Sequence, residues 1–368
     1  MTDLNSELVA ATAEMVARVG VDTATPAAGP DTALWTALTE AGFTGIGISE
    51  ESDGSGGTLA DALAVVSAAV GGGAVTMLIE HTVLARWLTA RCGITLATRT
   101  ATIALAGPEC TVAESDAGPV LDGTITGVVH GSAAEVLVIL LDSARPGQRE
   151  PSIALVSPTA PGVTVTPGTD LVGAALDDFV FESAPVEAYA ECPVGAAEVE
   201  QRGALAYSVA LAAAAGAVRD ATVRYATERS QFGRPLTKFQ AVQQRLAGLA
   251  ASTALMETAA ESAVAEDAAG GSPARIRCAV AAAKVVTAVS AREVAAAGHQ
   301  IHGAIGFTSE HHLGRATTAL WAWRGRYGSE NPWTGVLAEE ILDHGTDVWD
   351  IVIGRAPAVP NRPAEGNH

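Results

Sequence analysis

Residues 224–240 read Arg-Tyr-Ala-Thr-Glu-Arg-Ser-Gln-Phe-Gly-Arg-Pro-Leu-Thr-Lys-Phe-Gln, a junction between two long alanine-rich helical patterns. The junction gathers a cation (Arg229), an amide (Gln231), an aromatic ring (Phe232) and a flexible glycine (Gly233). Together these groups suit the diphosphate and adenine half of a dinucleotide. A guanidinium meets phosphate in a bidentate fork, an amide meets a polar edge, and a ring covers a flat or apolar surface. An ordinary helix-turn-helix joint, with Pro235 opening the second helix, accounts for the same string without a ligand.

Downstream, Phe239, Val242, Leu246, Leu249, Thr253 and Met256 step by three and four, the stripe of a buried helical face. Gly270-Gly271-Ser272-Pro273 then ends one helix and opens the next. Upstream, the texture changes twice. Residues 1 to about 103 alternate helical patterns (4–19, 31–42 and 58–71) with Gly-rich joints, and Thr58 is placed to N-cap the third, with Asp61 three residues on. From 102 to about 188 come short β-branched runs broken by Gly, Pro and Asp: 126–129, 136–141, 152–156, 163–165 and 179–181. The pattern predicts an α+β, mainly helical chain. It divides into an N-terminal helical domain (1–103), a middle antiparallel β-domain (104–188) and a C-terminal helical bundle (189–368).

Composition narrows the function. A 48% hydrophobic content is ample for a core, and only 4% is aromatic, so the apolar mass is chiefly Ala, Val and Leu. A net charge of −19 argues against broad binding to nucleic acid or to anionic membrane. A polyanionic ligand must therefore meet a local group of arginines. The four cysteines are scattered without a metal-ligand spacing, which fits reduced thiols. The first residues lack the basic start and apolar run of a signal peptide, and runs such as 132–141 are too short to span a bilayer, so a soluble cytoplasmic protein is expected.

The string Arg229-Ser230-Gln231-Phe232-Gly233 resembles the R-x-x-F-G signature of the acyl-CoA dehydrogenases. These flavoenzymes desaturate acyl-CoA thioesters, and in them this loop reaches across a subunit interface to the FAD of a neighbouring chain. Residues 298–311, from Gly298-His299-Gln300 through Gly303-Ala304-Ile305-Gly306-Phe307 to Glu310, are similar to the family's Q-x-x-G-G-x-G-F-x-x-E segment, with Ala304 at the second glycine. Ala41–Glu51 looks like its G-I-x-x-P-E-E passage. The resemblance spans most of the chain and implies a C-terminal four-helix bundle, with flavin between bundle and β-domain. It also implies that Arg229, Gln231, Phe232, Gln240, Gln300, Gly303 and Gly306 hold the ADP half of FAD.

The departures are as informative. Family members remove the α-proton of the thioester with a glutamate while hydride leaves Cβ for the flavin. Counting from the two signatures, the two known placements of that glutamate fall here on Gly203 and Tyr327, neither of them a carboxylate. Glu200 and Glu330 lie three residues away, most of a helical turn, and the bland reading of both is a solvated surface acid. The T-K-x-W-I-T/S string that lies against the isoalloxazine is replaced around Thr126-Gly127-Val128-Val129, with Gly127 at the Trp and Val129 at the hydroxyl. The T-E-P-x-x-G-S-D string survives only as Gly107-Pro108-Glu109-Cys110.

The chain thus resembles the glutamate-lacking subunit of actinobacterial heterotetramers acting on steroid side chains. The implied partners are a homologous subunit with the glutamate, an acyl-CoA substrate and an electron-transfer flavoprotein as acceptor. Three other readings stay open: a self-sufficient homotetramer using Glu330 or Glu200, a flavin monooxygenase of the same fold, and a scaffold without flavin. His299, His302, His311 and His312 lack a recognisable metal-ligand spacing, and Trp321, Trp323, Trp333 and Trp349 read as packing residues.

Overall fold

The computed structural model describes residues 3–21, 27, 29–96, 98–142, 150–308, 311–342 and 349. Helices come first: α1 (Asp3–Val19), α2 (Thr32–Glu40) and α3 (Leu59–Gly71). Thr58 caps α3 as expected, in a reciprocal capping box: its hydroxyl accepts from the Asp61 amide, and the Asp61 carboxylate accepts from the Thr58 amide at 2.8 Å. A π-helical run, Ile79–Arg86, leads into α4 (Trp87–Arg91). All eight residues of the run are buried, including Glu80, His81, Thr82 and Arg86, so each polar group needs a protein partner. His81 Nδ1 accepts from the Ala101 amide at 2.9 Å, and burial pushes the imidazole down to about 3, keeping it neutral. Thr82 donates to the Thr44 carbonyl at 3.0 Å, and Arg86 donates to the Asp53 carbonyl.

Eight strands follow: β1 (Ala101–Ala106), β2 (Thr111–Ser115), β3 (Gly118–Val129), β4 (Val136–Leu141), β5 (Ser152–Val156), β6 (Val163–Thr166), β7 (Leu176–Pro185) and β8 (Ala188–Glu191). They form two four-stranded sheets, ordered β1-β4-β5-β8 and β2-β3-β7-β6. Leu121, Ile125, Phe179 and Phe181 of one sheet share a core with Leu137 and Val156 of the other. One expectation is corrected here. The β-zone is not wholly antiparallel, because β1 pairs in parallel with β4. The connection between them runs through β2 and β3 in the opposite sheet, a crossover that lets the chain return in the same direction.

The rest is helical: α5 (Ala196–Glu228), α6 (Gln240–Ala268), α7 (Pro273–His302), α8 (Leu313–Trp323) and α9 (Glu330–Leu342). Between α5 and α6 lies a two-residue hairpin, β9 (Ser230–Gln231) with β10 (Arg234–Pro235). Pro235 therefore does not open the next helix. It pairs with Ser230, and a 3-10 turn over Leu236–Lys238 precedes α6. Ser272 caps α7 with Pro273 in its first turn, as the sequence indicates. The helix α5 is long and apolar enough to cross a membrane by composition, with a window of mean hydropathy 1.2, but 67% of that window is buried inside the protein. It is the central helix of the bundle.

Side-chain contacts set the directions. The helices α5 and α7 run parallel, since Tyr225 stacks on His302 near their ends while their first turns line one cleft. The helix α6 runs the other way, with Arg219 bonded to Glu257 at 2.9 Å. The fourth position is shared by α8 and α9, which descend along α7 in succession: His299 meets Thr317 at 3.0 Å, and Arg277 meets Glu339 at 3.1 Å. The break between them, residues 324–329, turns Arg326 and Tyr327 inward. Just above it, Lys284 of α7 is fully buried, its Nζ 3.4 Å from the Trp323 carbonyl at the end of α8.

Candidate functional site

All but one of the residues expected to hold the ADP moiety face outward at a single end of the bundle. Arg229, Gln231, Phe232, Gln240, Gln300 and Gly303 are exposed. Tyr225 binds the two segments together: its ring stacks on His302 at 4.4 Å, and its hydroxyl donates to the His302 carbonyl at 3.4 Å. Sequence reasoning missed this residue, although it lies one helical turn before Arg229. The hairpin is held open by an uncommon backbone. Phe232 has φ +51 and Gly233 φ +76, and the phenyl ring is 89% exposed. Arg234 sits over the Phe239 ring at 4.2 Å and stiffens the base of the hairpin.

Gly303 adopts φ +65 at the end of α7, and a side chain there would meet nothing within 4 Å, so its backbone is open to approach. Gly306 is different. It is buried, and a Cβ there would lie 2.9 Å from His302 Cβ and 3.1 Å from Leu313, so this glycine serves helix packing and does not face outward. Ser309 and Glu310 of the same motif lie outside the described residues. Burial lowers His299 and His302 below the ordinary imidazole range, and each has a hydrogen-bonding partner: Thr317 for His299 and the Gly298 carbonyl for His302. Among the described residues no group of three His, Cys, Asp or Glu side chains is placed to hold a metal.

The two positions expected for a carboxylate base come together at the other end. A Cβ built on Gly203 would lie 2.5 Å from the ring of Tyr327, so the two meet in space although 124 residues apart in the chain. The Tyr327 ring takes that volume. It adopts φ +50, is half-buried, and also stacks on Tyr207 at 5.9 Å. Burial, and then Glu80, drive its hydroxyl far above the ordinary phenol range, so it stays neutral. Gly328 follows at φ +91, and Trp333 Nε1 donates to the Tyr327 carbonyl at 2.8 Å, which fixes the turn.

The two alternative acids sit apart from the Gly203–Tyr327 contact in different settings. Glu330 is drawn down by a hydrogen bond from its own backbone amide and by Arg324, which it meets at 2.8 Å. It lies outside the cleft beside Tyr327, whereas Glu200 is exposed on that cleft's rim.

The strand expected to lie against a flavin ring has an irregular backbone where the sequence places Gly127. In β3 the pairing with β7 slips between Ile125 and Val128, and Gly127 in the slip has φ +67, a conformation strained for tryptophan. Val129 faces a small space walled by Glu80, His130, Tyr207, Asp170 and Trp323. The remaining cavity is about 20 Å³, room for a water and not for a tricyclic ring. A polar knot fills the rest. Tyr207 donates to Glu80, His130 Nε2 lies 3.9 Å from Glu80, and Arg326 bonds Asp170 at 3.0 Å. Desolvation holds His130 below its ordinary range despite Glu80.

The chain's fit to FAD is thus split. The residues expected to meet an ADP half are exposed, whereas the strand expected to face the flavin ring carries Gly127 and Val129 in place of the aromatic ring and the hydroxyl. Distance separates the halves too: from Gly203 to Arg229 the backbone climbs about 39 Å along α5, at 1.5 Å per residue.

The architecture is the acyl-CoA dehydrogenase fold. The ChsE4-ChsE5 complex from Mycobacterium tuberculosis superposes with a TM-score of 0.81 at 23% identity, covering 93% of this chain and 98% of that one. The Tcur3481-Tcur3483 steroid ACAD superposes at 0.79 with 22% identity, covering 93% and 98%. Residues 200–341 match the family described as acyl-CoA dehydrogenase, C-terminal domain. Benzylmalonyl-CoA dehydrogenase of Aromatoleum aromaticum is 34% identical over 166 residues, which are 40% of this chain and 42% of that protein. The chain therefore spans about two fifths of that relative's length in the match. Residues 200–341 thus match that family's C-terminal domain, and the chain as a whole shares the fold.

Proposed function

We propose that this chain is the glutamate-lacking subunit of a heteromeric FAD-dependent acyl-CoA dehydrogenase. Its 229–240 and 300–303 segments hold the ADP half of a flavin whose ring sits in a homologous partner that carries the base. One observation carries the reading: the exposed donors and the Gly203–Tyr327 pair lie at opposite ends of α5, about 39 Å apart, beyond the span of an extended dinucleotide. A loop so far from that pair suits a flavin seated in another chain. When bound, FAD supplies the acceptor for the hydride that leaves the acyl Cβ. Arg229 neutralises the diphosphate, Gln231 and Gln300 bond polar edges, and Phe232 trades solvent for an apolar surface, worth about 1.5–3 kcal/mol if fully covered. Likeness to a steroid ACAD and to the two-component ChsE4-ChsE5 complex supports a steroid side-chain thioester as the assembly's substrate. An electron-transfer flavoprotein as acceptor and a cytoplasmic setting complete the proposal.

Co-expression with a glutamate-bearing homologue, native mass spectrometry and flavin quantitation test it. One FAD per unlike pair is expected. Arg229→Ala removes a charge-assisted contact worth about 1.5–3 kcal/mol, so flavin retained after gel filtration falls about tenfold or more. One FAD per chain in a homotetramer, or unchanged occupancy in the variant, overturns the proposal.

A further inference from the structure

A cleft of about 830 Å³ opens at the end of α5 opposite the loop, above the Gly203–Tyr327 contact. Its size is that of a small-molecule site. Trp87 forms one wall and Trp333 another, with Ile276, Val280 and Val336 between them and Tyr327 inside. Apolar side chains line most of it, and Trp87, Ile276 and Val336 are left half-buried by the open space beside them.

The charged groups decide what fits. Both arginines of the lining are already committed. Arg202 donates to the Val83 carbonyl at 2.7 Å and lies 4.3 Å over the Trp87 ring, and Arg277 is paired with Glu339 at 3.1 Å. The other charges are the carboxylates of Glu198, Glu200 and Asp267. An anion entering here meets three acids and no uncommitted cation of the lining, whereas an uncharged apolar body meets indole, phenol and aliphatic surface.

We infer that this cleft is a ligand-binding site for a bulky uncharged apolar molecule, seated between Trp87 and Trp333 against Tyr327. The occupancy is independent of any partner or flavin, since it is read on the purified chain.

A matched pair of probes tests it: neutral N-phenyl-1-naphthylamine and the anionic 8-anilinonaphthalene-1-sulfonate, which share a ring system. Energy transfer from tryptophan to the neutral probe should saturate at one site per chain, with the sulfonate bound about tenfold more weakly. Ile276→Trp and Val336→Trp, each a half-buried wall position, should abolish the saturable signal while the circular dichroism melt stays cooperative. Two variants are needed in case one fails to fold. Equal or tighter binding of the sulfonate overturns the charge argument. Saturable binding that survives in a folded filled variant, or no saturable binding to the wild-type chain, overturns the site.

Discussion

At the residue scale the decisive contact is Tyr327 on Gly203. Adding a methyl group at Gly203 drives it to 2.5 Å from the ring, and overpacking of this kind costs about 1–3 kcal/mol. Gly203→Ala should therefore lower the denaturation midpoint in the Tyr327 background and be close to neutral beside Tyr327→Ala. A double-mutant cycle in urea measures the coupling, and additive costs would deny the contact. Lys284 gives a second case. Burial pulls its amine down to about 7 from the usual 10.5, with Glu330 acting against the shift. Between those two values the unfolded chain carries a proton that the folded chain lacks, so stability rises with pH across that window, by at most about 1.4 kcal/mol per pH unit. Below pH 7 the penalty is present in full. Chemical denaturation at pH 7 and pH 9.5 should show this rise in the wild type and a smaller one in Lys284→Met.

The sequence disclosed the absence of a carboxylate at both positions, because that is a matter of identity and counting. It could not disclose that the two positions touch, or that Glu80, Tyr207 and His130 close the space beside them. Those groups come from helix, strand and bundle segments whose meeting is set by packing alone.

At the scale of elements, local chemistry was the legible part. The Thr58–Asp61 box and the Ser272-Pro273 start are written in adjacent residues and appear where the spacing put them. Thr58→Ala should cost about 1 kcal/mol, measured as a shift in the urea midpoint, since the hydroxyl that accepts from the Asp61 amide and donates to its carboxylate is lost while the residue-58 amide keeps its own bond to Asp61. Less local features escaped. The parallel pairing of β1 with β4 depends on a crossover through the second sheet. The stripe on α6 is buried only from Leu249 onward, with Phe239, Val242 and Leu246 left half-exposed. Periodicity marks the apolar face of a helix, but it does not mark where the neighbouring helices stop covering it.

At the scale of the whole molecule, the exposed loop and the cleft lie at opposite ends of the bundle. Purified alone, the chain should show negligible acyl-CoA dehydrogenation and substoichiometric flavin. Anaerobic mixing with an acyl-CoA, followed by flavin absorbance, checks this, and bleaching at ordinary rates would count against the partner reading. The helix that joins the two ends also settles where an injury is felt. On the proposed reading, a lesion in the hairpin at the end of α5 would leave its own chain folded and silence chemistry next door, so its harm would be counted in neighbours. In a proposed assembly holding two copies of this chain, one damaged hairpin would remove one flavin and spare the other. Damage of that kind is graded by gene dose, and a mixed population of good and bad chains loses activity in proportion and not all at once.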